Sequence, residues 1–300
     1  MKDTLVYLNP TAGSGRSGAA RARLRAAVPE LQEARWVCGG DRRLALAELR
    51  RALGDDAGLK RVLAVGGDGT LNRVAQEILR LGLGSEIRLG LVPAGTGSDL
   101  ARFLGLPRRP EAALARALSG HPRPVDALRL RSPAGVVRYA VNVASAGVSG
   151  VVDQAVNAKA RRTALVYVLE TLKAALRFRS MGCRLTVDGE PFFEGEAFLI
   201  ALANSRYFGR GMMIAPEAEV DDGEADVVVV EPVPLWHLPW RILQLFRGSH
   251  LGAAPIRWRR GRRARLELPA GAPTLDLDGE ELDATSVEIE VLPGALQLLV

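Results

Sequence analysis

The segment that most constrains the fold is a short apolar run followed at once by three glycines and a helical pattern. Residues Val62–Val65 are apolar, Gly66-Gly67-Asp68-Gly69-Thr70 follow, and apolar residues recur at helical spacing from Leu71 to Leu79. Glycines let backbone N–H groups approach a polyanion, and the N-terminal end of a helix carries partial positive charge. The segment therefore predicts a β-strand, a phosphate-binding loop and a helix, in that order.

Asp68 lies inside this predicted loop, where its carboxylate would repel a phosphate unless a metal ion or a proton lies between them. We interpret Asp68 as part of a magnesium–nucleotide site, since Mg²⁺ prefers oxygen ligands. The alternative is a β-hairpin, because Asp-Gly is a strong hairpin signal. A helical pattern rather than a returning strand follows Gly69, which disfavours the hairpin.

A second glycine loop, Gly95-Thr96-Gly97-Ser98-Asp99, also follows a predicted strand and precedes a helical segment. Two such loops on one parallel sheet indicate a single ligand. Thr96 can offer its hydroxyl to a phosphate or a ribose, and Ser98 or Asp99 can cap the helix. For Asp99, capping alone is an equally good interpretation.

A third glycine-rich stretch, Gly13-Ser14-Gly15-Arg16-Ser17-Gly18, has the spacing of a dinucleotide-binding fingerprint. The match is weak, because Asn9-Pro10-Thr11-Ala12 separates it from the preceding strand and no acidic residue ends the next strand. We expect the amides of this loop, or Asn9, to contact nucleotide phosphates.

Strands and helices alternate in the first part of the chain, which predicts a doubly wound parallel sheet over residues 1–124. The predicted strands are Leu5–Leu8, Ala34–Cys38, Val62–Val65 and Ile87–Val92, and the predicted helices are 18–31 and Leu44–Leu53. This region is the predicted α/β nucleotide-binding lobe. It ends near His121-Pro122-Arg123-Pro124, where two prolines prevent a continuous helix.

Strands dominate after this point, which predicts an antiparallel β-sandwich or barrel over residues 125–300 with one helix, near Ala164 to Phe178. The predicted strands are Leu128–Leu130, Val136–Val143, Cys183–Val187, Ala197–Ala203, Val227–Val230, Arg265–Leu268, Thr274–Leu277 and Val287–Val291. The final strand is a candidate to pack back on the first lobe.

Composition favours an anionic partner and a reducing compartment. The formal net charge is +6 and most cations are arginine, which favours an anionic partner such as a nucleotide, a lipid headgroup or a nucleic acid. Cys38 and Cys183 form no metal or disulfide pattern, which favours a reducing cytoplasm. No apolar stretch reaches the length of about 18 residues typical of a membrane span, and no signal peptide begins the sequence. We expect a soluble or peripheral protein.

Several function classes are disfavoured. The sequence has no Walker A loop, and His121, His237 and His250 show neither metal-ligand spacing nor a Ser-His-Asp arrangement. The arginine-rich stretch 257–265 has no recognised nucleic-acid motif beside it, so we expect no nucleic-acid partner.

Five motifs follow one another across nearly the whole chain and together resemble the soluble diacylglycerol kinase and bacterial lipid kinase family. They are Asn9-Pro10, Gly66 to Asn72, Gly95 to Asp99, Asp221-Asp222-Gly223 and Leu277-Asp278-Gly279-Glu280. NAD kinases share the first glycine loop and the two-lobe plan, whereas the two later motifs favour the lipid kinases. The resemblance implies the NAD kinase/diacylglycerol kinase-like fold.

The resemblance also implies an activity. A member of this family would use ATP and Mg²⁺ to transfer the γ-phosphate to a free hydroxyl of a diacylglycerol-like lipid. Phosphoryl transfer requires a positioned γ-phosphate, a cation and an oriented acceptor hydroxyl. A NAD kinase and a catalytically silent nucleotide-binding regulator are the alternatives.

Site residues follow from the resemblance position by position. Glu280 would be the base that deprotonates the lipid hydroxyl, although a surface carboxylate after an Asp-Gly hairpin is the simpler interpretation. Asp68, Asp99 and Asp126 would surround the catalytic Mg²⁺. The nucleotide would be held by Asn9, Gly66, Gly67, Asp68, Gly69, Thr70, Leu71, Asn72, Gly95 and Thr96.

A second, structural Mg²⁺ is expected at the Asp-Asp-Gly motif. Carried over from the resemblance, its ligands would be Glu219, Asp222 and the carbonyl of Glu224, which are the oxygen donors that a hard cation prefers. A solvated acidic turn is the alternative.

A lipid substrate requires contact with a membrane, because each methylene group is held in the bilayer by about 0.8 kcal/mol. The segment Leu235–Arg247 combines two tryptophans, aliphatic residues and arginine, and the arginines of 257–265 could attract anionic headgroups. A helix packed on the sandwich and a solvent-facing strand are the respective alternatives. We expect a cytoplasmic protein in peripheral contact with an anionic membrane surface, with a homodimer left open.

Overall fold

A computed structural model describes residues 1–9, 22–26, 28–38, 42–55, 58–94, 98–157, 159, 164–252 and 254–300. The chain forms two compact units, one of Met1–Val125 with Gly294–Val300 and the other of Asp126–Pro293. The glycine-rich stretch 13–18 and the predicted ligands Gly95 and Thr96 lie outside the described residues.

The first unit is a parallel sheet accompanied by helices, which confirms the predicted α/β lobe. Its strands run in the order β2-β1-β3-β4, and residues Gln297–Leu299 pair in parallel with Arg88–Gly90 of β4. The strands are β1 (Thr4–Leu8), β2 (Arg35–Val37), β3 (Arg61–Gly66) and β4 (Arg88–Pro93). The helices are α1 (Arg42–Asp55), α2 (Asp68–Arg80), α3 (Asp99–Phe103) and α4 (Pro110–Ser119).

The predicted helix at 18–31 ends earlier than expected. Residues 22–26 are helical, and Pro29–Gln32 form a separate 3-10 turn. Proline lacks the N–H that a helix needs and clashes with the preceding turn, so the helix does not continue through Pro29.

Helix α2, which carries Asp68 in its first turn, is fixed by a buried carboxylate. Glu77 is nearly fully buried on α2, and Arg50 of α1 donates two hydrogen bonds of 2.8 Å to its oxygens. Arg80 donates a third, at 3.1 Å. Paired and hydrogen-bonded in this way, the charge of Glu77 links α1 to α2. The hydrogen bonds that Arg50 donates to Glu77 raise the pKa of Arg50.

The second unit contains two antiparallel sheets, as the predicted sandwich requires. One sheet has the order β14-β13-β10-β7-β16-β17, while β9, β8, β15 and the start of β18 pair in the other, which also contains β5 and β6. The strands are β5 (Pro122–Arg131), β6 (Val137–Ala140), β7 (Val143–Gly147), β8 (Met181–Val187), β9 (Glu190–Ala197), β10 (Leu199–Ala203), β11 (Tyr207–Phe208), β12 (Met212–Met213), β13 (Ala225–Val230), β14 (Ile256–Gly261), β15 (Arg263–Glu267), β16 (Leu275–Leu277), β17 (Glu280–Leu282) and β18 (Ser286–Leu299).

Side chains of both sheets form one apolar core between them, which makes the second unit a sandwich. Ile200 and Leu202 of β10 point into this core with Leu185 of β8. The alternate residues of β10, Leu199 and Ala201, face a second apolar layer formed with helices. Three helices of this unit are α5 (Val148–Asn157), α6 (Ala164–Arg177) and α7 (Leu238–Arg247).

Two predicted strands are each divided in the structure. The prediction 136–143 becomes β6 and β7, which are separated at Val141-Asn142, and the prediction 197–203 becomes the end of β9 and then β10, separated at Phe198. In both places the chain leaves one sheet and enters the other. The apolar pattern continues across each break because the residues on both sides stay in the core.

The prediction of a single helix in the second unit is wrong, since α5 and α7 are helical as well. Helix α5 is rich in valine, which favours strands in isolation. Its Val148, Val152 and Val156 recur every four residues and pack together against the sheet. Tertiary packing therefore overrides the local preference. No helix in the described part of the chain is both long enough and apolar enough to span a bilayer.

His250 gives the second unit a pH-dependent stability. Its ring is fully buried, with Nε2 3.0 Å from the carbonyl oxygen of Ile214, and burial lowers its pKa. The unfolded chain binds a proton on this ring near pH 6.5, whereas the folded chain binds it only at lower pH. The stabilising contribution is therefore present above pH 6.5 and is lost as the pH falls below it, by up to about 1.4 kcal/mol per pH unit.

We expect the variant His250→Gln to have a flatter dependence of unfolding free energy on pH between about 6.5 and 5 than the parent protein. Urea unfolding at several pH values measures this slope. The exposed His121→Gln serves as the control and should keep the parental slope. Equal slopes for the parent and His250→Gln would contradict the assignment.

Candidate functional site

The first glycine loop lies between β3 and α2. Gly67 is the residue before the helix and is extended, with φ −104° and ψ −169°. Gly66 is buried, and a Cβ atom built on it would lie 2.2 Å from the hydroxyl oxygen of Thr70. Glycine at position 66 is therefore needed for close packing with Thr70 rather than for a left-handed backbone.

Asn9 lies beside this loop. It follows β1, and its backbone N–H donates to the carbonyl of Val65 at 3.2 Å. Its side-chain amide donates to the hydroxyl of Thr70 at 3.0 Å. Since β1 and β3 are neighbouring parallel strands, their carboxyl ends bring Asn9 and the glycine loop together.

Asp68 connects the first loop to the start of α3. Its Oδ2 accepts the backbone N–H of Asp99 at 2.7 Å, and its Oδ1 accepts that of Leu100 at 3.3 Å. Asp99 is itself nearly fully buried. The two predicted carboxylate residues thus lie side by side at the carboxyl ends of β3 and β4.

This pair fits a magnesium ion. Mg²⁺ commonly binds one or two protein carboxylates and completes its octahedral shell with water and substrate phosphates. Asp68 directly follows two residues of the glycine loop, and its carboxylate bonds to the backbone of Asp99, which brings two residues with carboxylate side chains together. Among the residues that the structure describes, no three His, Cys, Asp or Glu side chains form a metal-binding set.

Three further residues predicted to bind the nucleotide are almost fully buried. Thr70, Leu71 and Asn72 lie in the first turns of α2 with at most a few per cent of their surface exposed. Leu71 belongs to the core, and its backbone N–H already donates to the carbonyl of Gly67 at 3.1 Å. Thr70 stabilises the loop, because its N–H donates to the carbonyl of Gly67 and its hydroxyl accepts a hydrogen bond from Asn9.

Asp126 lies in the second unit, where it holds the Asp-Asp-Gly turn. Its Oδ2 accepts the backbone N–H of Gly223 at 2.7 Å, and its own N–H donates to Val220 at 2.7 Å. The fully buried Asn204 donates to the carbonyls of Asp126 and Val141 at 2.9 and 2.8 Å. The resemblance implied that Asp126 binds the catalytic Mg²⁺ and that this turn binds the structural Mg²⁺. In the structure, a hydrogen bond connects Asp126 directly to the turn.

The acidic residues of that turn are paired with arginines. Asp222 forms an ion pair with Arg260, and the same guanidinium lies 3.6 Å from Glu224. Glu219 forms an ion pair with Arg206. Their charges are already balanced by guanidinium groups, so the side chains as they stand do not fit a bound cation. The expected structural Mg²⁺ remains a prediction in which the metal competes with these arginines.

Asp226 is a further carboxylate of this cluster that the sequence reasoning missed. It is almost fully buried in β13, Trp258 Nε1 donates to its Oδ1 at 2.6 Å, and Arg260 lies 3.8 Å away. Burial raises its pKa, and the bond from Trp258 opposes that shift. The sequence signal that could have identified Asp226 is an aspartate within the otherwise apolar strand β13.

The arginine-rich stretch 257–265 is largely neutralised by its own neighbours. Arg257 pairs with Glu231 at 2.8 Å, and Arg265 pairs with Glu267 at 2.9 Å. The predicted alternative, a strand whose arginines alternate into water, matches β14 and β15. These arginines therefore offer less charge to a headgroup than the sequence indicated.

Glu280 begins β17 directly after a two-residue turn. Asp278 and Gly279 both have positive φ, at 54° and 87°, and Leu277 pairs with Glu280 across the hairpin. Two such residues are typical of a type I′ turn, so the hairpin expected as the simpler interpretation is present. Glu280 is half-buried there. Its role as a base is compatible with this position and remains a prediction.

Asp278 fixes the hairpin in the second unit. Its carboxylate accepts the backbone N–H groups of Val141, Asn142 and Val143 at 2.8, 3.0 and 2.8 Å. This contact explains why the predicted strand 136–143 is interrupted, because these N–H groups bond to a side chain rather than to a neighbouring strand. The sequence reasoning quoted Asp278 as part of a motif but gave it no role.

Comparisons with known proteins agree with the geometry. Residues 3–130 match the family model "Diacylglycerol kinase catalytic domain", and residues 142–300 match "YegS C-terminal NAD kinase beta sandwich-like domain". The chain is 29% identical to "Diacylglycerol kinase" of Mycobacterium tuberculosis over 97% of this chain and 93% of that protein. It is 31% identical to "Probable lipid kinase YegS-like" of Stenotrophomonas maltophilia, over 81% and 79% respectively.

A solved structure shares the fold. The crystal structure of a diacylglycerol kinase from Bacillus anthracis superimposes with a TM-score of 0.71 at 21% identity, covering 99% of this chain and 96% of that chain. The two-lobe plan, with an α/β unit and an antiparallel sandwich, is therefore the plan of an existing fold family.

The double contact of Asp68 predicts a measurable loss of stability in Asp68→Asn. The amide retains one oxygen and presents an NH₂ group to the other backbone donor, so we expect a loss of about 1–3 kcal/mol without global unfolding. Urea unfolding measures it. Asp55→Asn, at an exposed carboxylate of α1 paired with Arg51, should change stability by less than about 0.5 kcal/mol. Equal effects at the two sites would refute the proposed anchoring role.

Proposed function

This chain belongs to the family of diacylglycerol kinases and YegS-like lipid kinases, and on that basis we propose that it is an ATP- and Mg²⁺-dependent lipid kinase. The proposed reaction transfers the γ-phosphate of ATP to a free hydroxyl of a diacylglycerol-like lipid. Family membership supports a kinase acting on lipids. The nucleotide, the metal and the acceptor are the parts that we add.

The observation that carries this proposal is the pair Asp68 and Asp99 beside the glycine loop. The pair lies within residues 3–130, which match the diacylglycerol kinase catalytic domain. A glycine loop at the end of a parallel strand suits phosphate, and two neighbouring aspartate residues suit a divalent cation. A lipid-binding protein without kinase activity has no need for both features at one point.

Residues of the first unit would bind the phosphates and the metal. Backbone N–H groups of the loop bind the phosphates, with Asn9 holding Thr70 in place beneath them. Asp68 and Asp99 would hold Mg²⁺, which when bound neutralises charge on the transferring phosphoryl group. Because Asp68 also fixes the N–H groups of Asp99 and Leu100, the geometry of the pair is set before a ligand arrives.

Asp126 and Glu280 lie in the second unit, and their roles are proposed from the family resemblance. Glu280 would accept the proton of the lipid hydroxyl during attack on the γ-phosphate. The turn before it is held by three backbone donors to Asp278, which gives Glu280 a defined place on β17. Asp126 would extend the acidic cluster while its Oδ2 holds the Gly223 turn.

Peripheral contact with an anionic membrane is the second part of the proposal. Helix α6 exposes three leucines on one side, and the segment around α7 exposes aromatic and aliphatic side chains. The exposed apolar residues are Leu169, Leu172, Leu176, Trp236, Trp240, Leu243 and Phe246. Clusters of exposed apolar side chains favour membrane or protein contact, and tryptophan favours the membrane interface. Both helices therefore support the prediction made for 235–247.

The central test supplies the protein with γ-labelled ATP, Mg²⁺ and either NAD or a panel of lipids in mixed micelles. We expect label in the lipid phase with diacylglycerol and none in NADP. Labelled NADP would make the chain a NAD kinase. ATP binding with no transfer to any acceptor would make it a nucleotide-binding regulator.

Replacement of the proposed base gives a sharper result. We expect Glu280→Gln to lower kcat by about 10²–10⁴-fold, because general-base catalysis contributes an effect of that size. The neighbouring exposed Glu281→Gln is the matched control and should keep parental kcat. Full turnover by a folded Glu280→Gln protein would exclude this residue as the base.

A further inference from the structure

A cleft lies on the outer face of the sandwich sheet that contains β5, β8, β15 and β18. It has a volume of about 490 Å³ and is lined mainly by charged and polar residues of these strands. Their neighbours Leu130, Leu266 and Val287 point into the sandwich core. Because side chains alternate along a strand, the charged residues between them lie on the opposite, outer face of the sheet.

The cleft carries an excess of positive charge. Its charged residues are Arg129 and Arg131 of β5, Arg263 and Arg265 of β15, and Glu288 and Glu290 of β18. Four positive side chains thus face two negative ones. All of these residues belong to the second unit.

The strand register places the glutamates beside the arginines. Arg263 lies directly across from Glu290, and Arg265 lies across from Glu288. Glu290 pairs with Arg263 at 3.3 Å and also with Arg129 of β5, which is a second neighbour of β18. One carboxylate therefore holds two guanidinium groups at the cleft. Each guanidinium has five N–H donors, so both retain donors for a further acceptor.

The other two arginines are balanced only in part. Arg265 pairs with Glu267, beside the cleft, at 2.9 Å and lies 3.7 Å from Glu288. Arg131 is exposed and forms no ion pair with a residue that the structure describes. The excess stays positive even when Glu267 is counted. Like charges at one cleft repel each other, and an anion bound among them relieves that repulsion.

The lining favours a small phosphate ester as the anion. The planar fork of arginine matches the oxygens of a phosphate. Thr186 and Glu288 add oxygen atoms that can accept hydrogen bonds from hydroxyl groups. Among the described residues, no aromatic side chain lines the cleft, so a nucleotide base would find no stacking partner there.

We propose that this cleft binds a phosphate monoester carried on a glycerol-like polyol, with Arg129, Arg131 and Arg263 donating hydrogen bonds to the phosphate oxygens. Thr186 and Glu288 contact the hydroxyl groups of the polyol. This chemistry occurs in free glycerol phosphate and in a lipid headgroup. The inference does not rest on the kinase proposal, because none of the described residues proposed for catalysis lines the cleft.

Isothermal titration calorimetry of the full chain with glycerol 3-phosphate, without ATP or Mg²⁺, tests the site. Arg131→Gln removes one phosphate donor, and we expect about tenfold weaker binding. Arg138→Gln is the matched control. Arg138 is exposed on β6 across from Leu130, which points into the core, so it lies on the other face of the sheet and its loss should keep parental affinity.

The two arginine variants also separate this cleft from other sources of attraction. Equal losses in Arg131→Gln and Arg138→Gln would indicate a general effect of net charge and would overturn the site. Binding that Arg131→Gln leaves unchanged would place the anion elsewhere, such as at the glycine loop, and would overturn it as well.

Two substitutions at Thr186 separate charge from shape. Thr186 lies across from Arg265 in the register of β8 and β15. Thr186→Glu adds a carboxylate that competes with the phosphate, so we expect at least tenfold weaker binding. Thr186→Gln has nearly the same size without the charge and should stay within about threefold of the parent. Thermal unfolding checks that both variants are folded, and equal losses in both would contradict recognition by charge.

The free and the lipid-bound ligand are distinguished by a second measurement. Co-sedimentation with phosphatidylcholine vesicles that contain phosphatidic acid presents the phosphate monoester as a headgroup. A loss in Arg131→Gln with glycerol 3-phosphate supports the free ligand, and a loss with the vesicles alone supports the headgroup. No binding of either by the parent protein would overturn the proposal, whereas the transfer of label from ATP tests the kinase proposal separately.

Discussion

Aspartate side chains that accept backbone N–H groups hold the loops on which the candidate site depends. Asp68 accepts two such bonds from the start of α3, Asp126 accepts one from Gly223, and Asp278 accepts three from residues 141–143. Loops rarely satisfy their own backbone donors, so a fixed carboxylate both completes their hydrogen bonding and restricts their conformation. In the proposed reaction, Asp68 and Asp126 would also carry charge near the metal, so the structural and the proposed chemical requirements would fall on the same two residues.

The sequence predicted the features that depend on near neighbours. The strand, glycine loop and helix around Asp68 follow from local periodicity, and so does the Asp278-Gly279 hairpin. Contacts between distant segments were not accessible in this way, because Gly223 lies 97 positions from Asp126 along the chain. The strand breaks at 141–142 and 198 could not be predicted from the apolar pattern for another reason. A chain segment that passes from one sheet to the other keeps its apolar residues in the core, so the pattern shows no interruption.

The net charge did not show which basic residues could meet an anionic partner. The net charge of +6 indicated an anionic partner, and the arginines of 257–265 were an obvious location. In the fold, Arg257, Arg260 and Arg265 pair with acidic side chains of the same unit. These ion pairs, within β15 or between β14 and residues beside β13, partly balance the arginine charge inside the unit. Exposed Arg177 and Arg247 lie instead on α6 and α7, the helices that also carry exposed apolar side chains, and composition did not distinguish them.

The strand β18 begins in the sandwich and ends beside β4 in the first unit. Its residues Gln297–Leu299 lie about 200 positions along the chain from their partners at 88–90. Pairings of such long sequence separation form slowly, because the closing loop costs entropy before any contact is gained. During synthesis, the sheet of the first unit lacks this strand until the entire sandwich has left the ribosome. The α/β unit is thus synthesised first, yet its sheet can be completed only last.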